Sequence, residues 1–374
     1  MSCCTSSQRR SPGMGYRDPI TNKDRVEVMG TWDFKWPLGS KIRVAFQQPS
    51  SREINEADFL ESVQIIKQLA ELWIKAAPHQ AAPNIEFDWS PPPFSRADPT
   101  DPQNGSTFAF PSGKQEYRAR DYDVLISLDT LPRGKRDPAT LERVQRNFLP
   151  SSELGSFARR VDYGVPTAYL GPFAGQASAD GEFRLAHYYK TNSIARFYVI
   201  HEFGHILGLA HTHQSRSRRA TLPPEAVARL TNIVIHSQNL IRVESSAARW
   251  GDTGLEASTS IYSGQRRELR KEIAPIKATL RAFLDRRHIP ITLEEAELDD
   301  FVVSQIVESW PGNDAFSDWP AAGPSIMDIP YFECLIGLHR AADGFCEICE
   351  ELISRGAPLE GDLRALAAMY PCVE

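Results

Sequence analysis

His201, Glu202, His205 and His211 fall within one run, His-Glu-Phe-Gly-His-Ile-Leu-Gly-Leu-Ala-His, whose residue types and spacing suit a metal ion. On an α-helix His201 and His205 lie one turn apart and project from the same face, so two imidazoles can grip one zinc ion. Glu202 sits on the adjoining edge of that face. It is too close to His201 in sequence to share the metal, but well placed to reach a metal-bound water. The next helical turn cannot supply a third ligand, because Ile206, Leu207 and Leu209 must pack inward. Gly208 resolves this: without a Cβ it can turn left-handed, end the helix and swing the chain back so that His211 meets the metal.

Three neutral imidazoles leave the fourth zinc position open to water, which is the pattern of a catalytic site holding one Zn(2+) per chain. Zinc lowers the pKa of its bound water towards ~7. Glu202 is then the expected general base, and afterwards the acid that returns the proton to a leaving group.

These residues need a helix, and a sheet to brace it. Lys41 to Phe46 alternates polar and apolar residues like a first strand. Ala57 to Lys75 carries helical periodicity through Phe59, Leu60, Val63, Ile66, Leu69 and Leu72, ending before Pro78. Ile85 to Trp89 reads as a short strand, and 90–103 as a Pro-rich loop. Val124 to Leu128 is nearly all apolar, as suits the middle of a sheet. Thr167 to Gly171 and Phe183 to Tyr188 are two further expected strands, and Ser193 is the expected cap of the zinc helix. Helical patterns at 223–242 and 265–287 precede an acidic run, Glu294 to Asp300, that reads as an exposed helix face. Gly361 to Tyr370 reads as a final helix.

The extended form HExxHxxGxxH resembles the signature of the metzincin clan of zinc endopeptidases. Pro324-Ser325-Ile326-Met327-Asp328 is similar to the clan's Met-turn, with Met327 as its base. His211-Thr212-His213-Gln214-Ser215-Arg216 resembles a run of bacterial and fungal astacin-like enzymes. The clan resemblance covers roughly residues 31–215 and 320–372. It implies an α+β fold: a mixed twisted sheet with the active-site helix in an N-terminal subdomain, 31–214. A C-terminal subdomain, 215–374, would then contain a helical insertion at about 215–320, the Met-turn and a closing helix. It also implies an endopeptidase acting on a peptide or protein, with Ala168, Tyr169, Leu170 and Gly171 as the edge strand that aligns substrate antiparallel.

Two positions depart from the astacin pattern. Thr212 stands where those enzymes place a glutamate that pairs with a buried amino terminus, so the full-length chain is expected to act without N-terminal trimming. Ile329 stands where they place a tyrosine; Tyr331 could replace that transition-state donor only in a rearranged turn, and the preferred reading is a tyrosine-free zinc sphere.

A net charge of −6 offers no footprint for nucleic acid, and Arg216-Ser217-Arg218-Arg219 is short enough for a solvated loop. No apolar run is long enough for a transmembrane helix. Residues 1–30 are polar, without a signal-peptide core, and read as a disordered tail. The expectation is an intracellular protein, with secretion by an unrecognised route as the alternative. Cys3 and Cys4 sit in that tail; Cys334, Cys346, Cys349 and Cys372 cluster near the other end. Cys346-Glu-Ile-Cys349 could bind a second metal or form a disulfide, against the simpler reading of reduced thiols. Two other functions compete with peptidase: a zinc hydrolase of a non-peptide substrate, and a zinc-bound interaction module without turnover. Intact Glu202 argues against the second.

Overall fold

The computed structural model describes residues 35–47, 55–75, 82–91, 122–130, 133–136, 143–147, 149–161, 165–173, 183–209, 211, 223–250, 255–291, 293–307, 325–327 and 347–372. The tail 1–30, most of the Pro-rich stretch 90–103, Thr212, Ile329, Tyr331, Cys334 and Cys346 lie outside these residues, as does the side chain of Cys349.

In chain order the elements are β1 (Ser40–Gln47), α1 (Glu56–Ile74), β2 (Ile85–Asp88), β3 (Val124–Ser127), β4 (Arg133–Arg136), β5 (Arg143–Asn147), β6 (Ser151–Ser152) and β7 (Ala168–Tyr169). Then come α2 (Leu185–Thr191), α3 (Ser193–Ile206), α4 (Pro224–Trp250), α5 (Leu255–Arg286), α6 (Glu295–Val307), α7 (Glu347–Arg355) and α8 (Glu360–Met369). The fold is mixed α+β, and the described residues fall into two compact units, one within 1–210, 325–327 and 352–374, the other within 211–324 and 328–351.

In the first unit a five-stranded sheet runs in the order β2-β1-β3-β7-β6. The first three pairings are parallel and only β6 is antiparallel to its neighbour. β3 is buried at every residue, as its apolar run requires of a central strand. Helix α1 starts at Asn55, whose side chain accepts from the Asp58 amide at 2.9 Å. Of the expected stripe it buries Phe59, Val63, Ile66 and Leu69, adding Ala70 and Trp73, whereas Leu72 is only half-buried and Leu60 faces solvent.

Phe183 to Tyr188 is not a strand: Leu185 opens helix α2. The reason lies far off in sequence, where the buried carboxylate of Asp58 accepts from the amides of Leu185 at 2.6 Å and Ala186 at 3.0 Å. That supplies the helix start with partners that no local residue signals. The hairpin of β4 and β5, joined antiparallel, was likewise not expected from the sequence.

Asp123 ties the start of β3 to its surroundings. It accepts from the Arg43 amide at 3.0 Å, from the Arg43 guanidinium at 3.2 Å and from Arg159 Nε at 2.9 Å. Burial pushes its pKa up, but the two arginines outweigh burial and hold the carboxyl below its usual value. The folded pKa thus lies below the unfolded ~3.9, so the stabilisation is complete above that pH and lost as pH falls through the folded value. Thermal unfolding followed between about pH 5 and pH 2 should show a steeper acid decline for the wild type than for Asp123→Asn. Parallel profiles would remove Asp123 from the acid sensitivity.

In the second unit α4, α5 and α6 pack on one another. Helix α5 buries Leu269, Ile273, Ile276, Leu280, Phe283 and Leu284. The acidic run at 294–300 is not simply a solvated face. Asp299 is only 5 % exposed and pairs with Lys277, itself 6 % exposed, and with Arg270 Nε at 2.9 Å. Glu295 also pairs with Lys277 and with Arg281. The lysine sits on α5, so the sequence around 294–300 carries no sign of its partner. Among the described residues no helix is long and apolar enough to cross a membrane.

Candidate metal centre

Helix α3 carries His201, Glu202 and His205, and it is buried almost all round, from Ile194 to Ile206. Its cap is Asn192, whose side chain accepts from the amides of Ile194 at 3.1 Å and Ala195 at 3.2 Å; Ser193, the expected cap, is the first helical residue. Three buried donors meet its main-chain carbonyls. Trp73 Nε1 bonds Ile200 O, Trp36 Nε1 bonds Ile206 O and the Tyr370 hydroxyl bonds Leu207 O, each at 2.7 Å. The helix ends as Gly208 requires. Its φ is 97°, its amide bonds His205 O at 2.8 Å, and the Leu209 amide bonds Gly204 O at 2.9 Å. This paired closure is a Schellman motif, and glycine bears the left-handed residue at little steric cost.

The three histidines come together: one ring nitrogen from each of His201, His205 and His211 lies within 4.8 Å of the others. His201 Nδ1 is 2.7 Å from Ile326 O, and His205 Nδ1 is 2.7 Å from Leu209 O. A carbonyl can only accept, so each Nδ1 carries a hydrogen, which in a neutral ring leaves Nε2 as the lone-pair nitrogen. Burial pushes the His205 pKa down to about 4, so that imidazole is neutral at neutral pH. Neutral rings oriented by carbonyls through their second nitrogen are the usual arrangement of metal-binding histidines. A three-imidazole donor set fits zinc.

Beneath the helix, residues 325–327 form a buried turn fixed by the carboxylate of Asp362 on α8. Asp362 accepts from the Ser325 hydroxyl, from the Ile326 amide at 3.0 Å and from the Leu359 amide at 2.8 Å. Burial pushes its pKa up to about 6 against those three bonds. The turn brings Ile326 O to His201, and Met327 is fully buried. A Cβ on Gly204 would lie 2.2 Å from Met327 Sδ and 2.9 Å from Trp73 Cζ2, so glycine within the histidine motif makes room for both. Sequence reading singled out Met327 but missed Asp362.

Glu202 is 3 % exposed, and the Ser152 hydroxyl lies 2.8 Å from its Oε2. Ser152 carries no signal in the sequence and was also missed.

The expected edge strand needs correction. Ala168 and Tyr169 pair with Ile126 and Ser127 of β3 on one side and with Ser152 and Ser151 of β6 on the other. They are therefore interior, and among the described residues the sheet's two edges are β2 and, beside Ala168 and Tyr169, β6. The Leu170 amide donates to Ser127 O at 2.9 Å, and the Leu170 carbonyl accepts from the Tyr189 hydroxyl. Gly171 has a packing role: a Cβ there would stand 1.7 Å from Asp129 O, a backbone atom that cannot swing aside. Gly171→Ala should lower stability to urea by about 1–3 kcal/mol, the usual range for overpacking. An unchanged midpoint would show that the two main chains do not meet so closely.

No protein-family model and no curated protein matches this chain. Two solved structures of myroilysin are similar to part of it, each at 17 % identity over 53 % of this chain, with TM-scores of 0.27 and 0.25. The matched region spans 52 % and 60 % of the length of those chains. Likeness at that level carries no argument about activity; the geometry of the site does.

Proposed function

We propose that the chain is a zinc-dependent endopeptidase of the metzincin kind, with one Zn(2+) held by His201, His205 and His211. The observation that carries this reading is the convergence of those three histidines beside Glu202, a buried glutamate on the helix that carries two of them. Zinc in such a donor set supplies an acidified water and a Lewis acid for a peptide carbonyl. Glu202 takes the proton from the attacking water and delivers it to the leaving amine, so a single carboxylate acts as base and then acid. The turn at 325–327 takes the part of the Met-turn, with Met327 as its base and Asp362 as its anchor. With Ile329 where astacins place their tyrosine, the reading needs no tyrosine in the zinc sphere. A substrate main chain aligns on the edge strand, which falls to Ser151 and Ser152 rather than to Ala168–Gly171. The helices after His211 form an insertion within a C-terminal subdomain, and the astacin-like affinity rests on the run from His211 to Arg216.

An internally quenched peptide blocked at both termini tests this reading. Internal cleavage is expected. Turnover of small esters or amides without cleavage of that peptide would favour the non-peptide hydrolase instead.

A further inference from the structure

We propose that Ser152 is a positioning residue that holds the carboxylate of Glu202 in its working orientation, an inference that rests on the peptidase reading above. A buried carboxylate is normally met by hydrogen-bond donors, and these fix its orientation. The Ser152 hydroxyl lies 2.8 Å from Glu202 Oε2 and 3.0 Å from Glu202 O. It thus reaches the side chain and the main chain of one residue. A single hydroxyl proton can serve both acceptors as a three-centre bond or move between them. Either way the contact spans Glu202 from main chain to carboxylate and restricts its rotation. Holding one carboxylate oxygen sets the direction of the other.

The main chain that carries the hydroxyl is itself held in the sheet. Ser152 pairs antiparallel with Ala168, and the neighbouring Glu153 amide bonds Thr167 O at 2.8 Å. Ala168 in turn pairs with Ile126 of the fully buried β3. The sheet therefore delivers a polar atom directly to the residue on α3 that moves the proton. Ser152 touches no reacting atom and acts only through Glu202. Its main chain lies on the proposed substrate strand, but replacing the side chain leaves that main chain in place, so the two roles separate in a KM-against-kcat comparison.

The test compares wild type, Ser152→Ala, Ser152→Val and Ser152→Thr, each loaded with zinc. Metal content and the kcat and KM for the blocked peptide are measured for all four. Crystal structures of zinc-loaded wild type and Ser152→Ala report the Glu202 rotamer independently of activity. Ala and Val are expected to lower kcat by about ten- to a hundredfold, the loss typical of an outer-shell partner. Their KM should stay within about twofold with one zinc retained, and Thr, which keeps the hydroxyl, should stay within about threefold of wild-type kcat. The Glu202 carboxylate should leave its wild-type position in Ser152→Ala. An unchanged kcat in Ser152→Ala, equal losses in all three variants, a change in KM alone, or an unmoved carboxylate would overturn the proposal. A zinc-loaded wild type that cleaves no peptide would instead overturn the peptidase reading, while the two crystal structures still decide whether Ser152 holds Glu202.

Discussion

Glu202→Gln is expected to keep its zinc and lose peptidase activity by roughly two to four orders of magnitude, the contribution of a positioned acid–base group. The substitution is nearly isosteric, which matters because the residue is 3 % exposed and packed against the sheet. Glutamine preserves that packing and can still accept from the Ser152 hydroxyl, but it cannot take a proton from water. Metal content near one per chain, together with a collapse of kcat, would assign proton transfer to this carboxylate. Near-normal turnover would show that some other group is the base.

His205→Ala should abolish metal retention and activity together. His205 is 9 % exposed and neutral, with Nδ1 committed to Leu209 O, so its second nitrogen is oriented for the metal. Loss of an outer-shell partner alone weakens metal affinity by about 10–100-fold, and loss of a ligand should exceed that. A ligand that binds only the folded state raises its stability. Added zinc should therefore raise the thermal midpoint of metal-free wild type and leave that of His205→Ala unmoved. An equal rise in both would place the metal elsewhere.

The histidine cluster was more legible in the sequence than its support. His201, His205, His211 and Gly208 lie in one short run, so local helix geometry alone predicted both their meeting and the left-handed exit. β1, α1 and β3 were legible because their apolar periodicity matches their burial. What escaped depends on contacts distant in sequence. Asp58 turns 185–191 into a helix from more than a hundred residues away. Lys277 draws Asp299 out of an apparently solvated acidic run. The clan resemblance implied that Ala168–Gly171 form an edge, and nothing in the sequence shows that two serines, Ser151 and Ser152, pair outside Ala168 and Tyr169. Asn192 took the cap from Ser193 because both residue types can cap, and only the helix phase decides between them.

The most direct measurement is the cleavage of a denatured peptide library by the purified chain, before chelation, after chelation and after return of one equivalent of zinc. Internal cleavage that disappears on chelation and comes back with zinc is the expected result. Cleavage indifferent to the chelator, or none from a chain shown to carry zinc, would contradict a zinc endopeptidase.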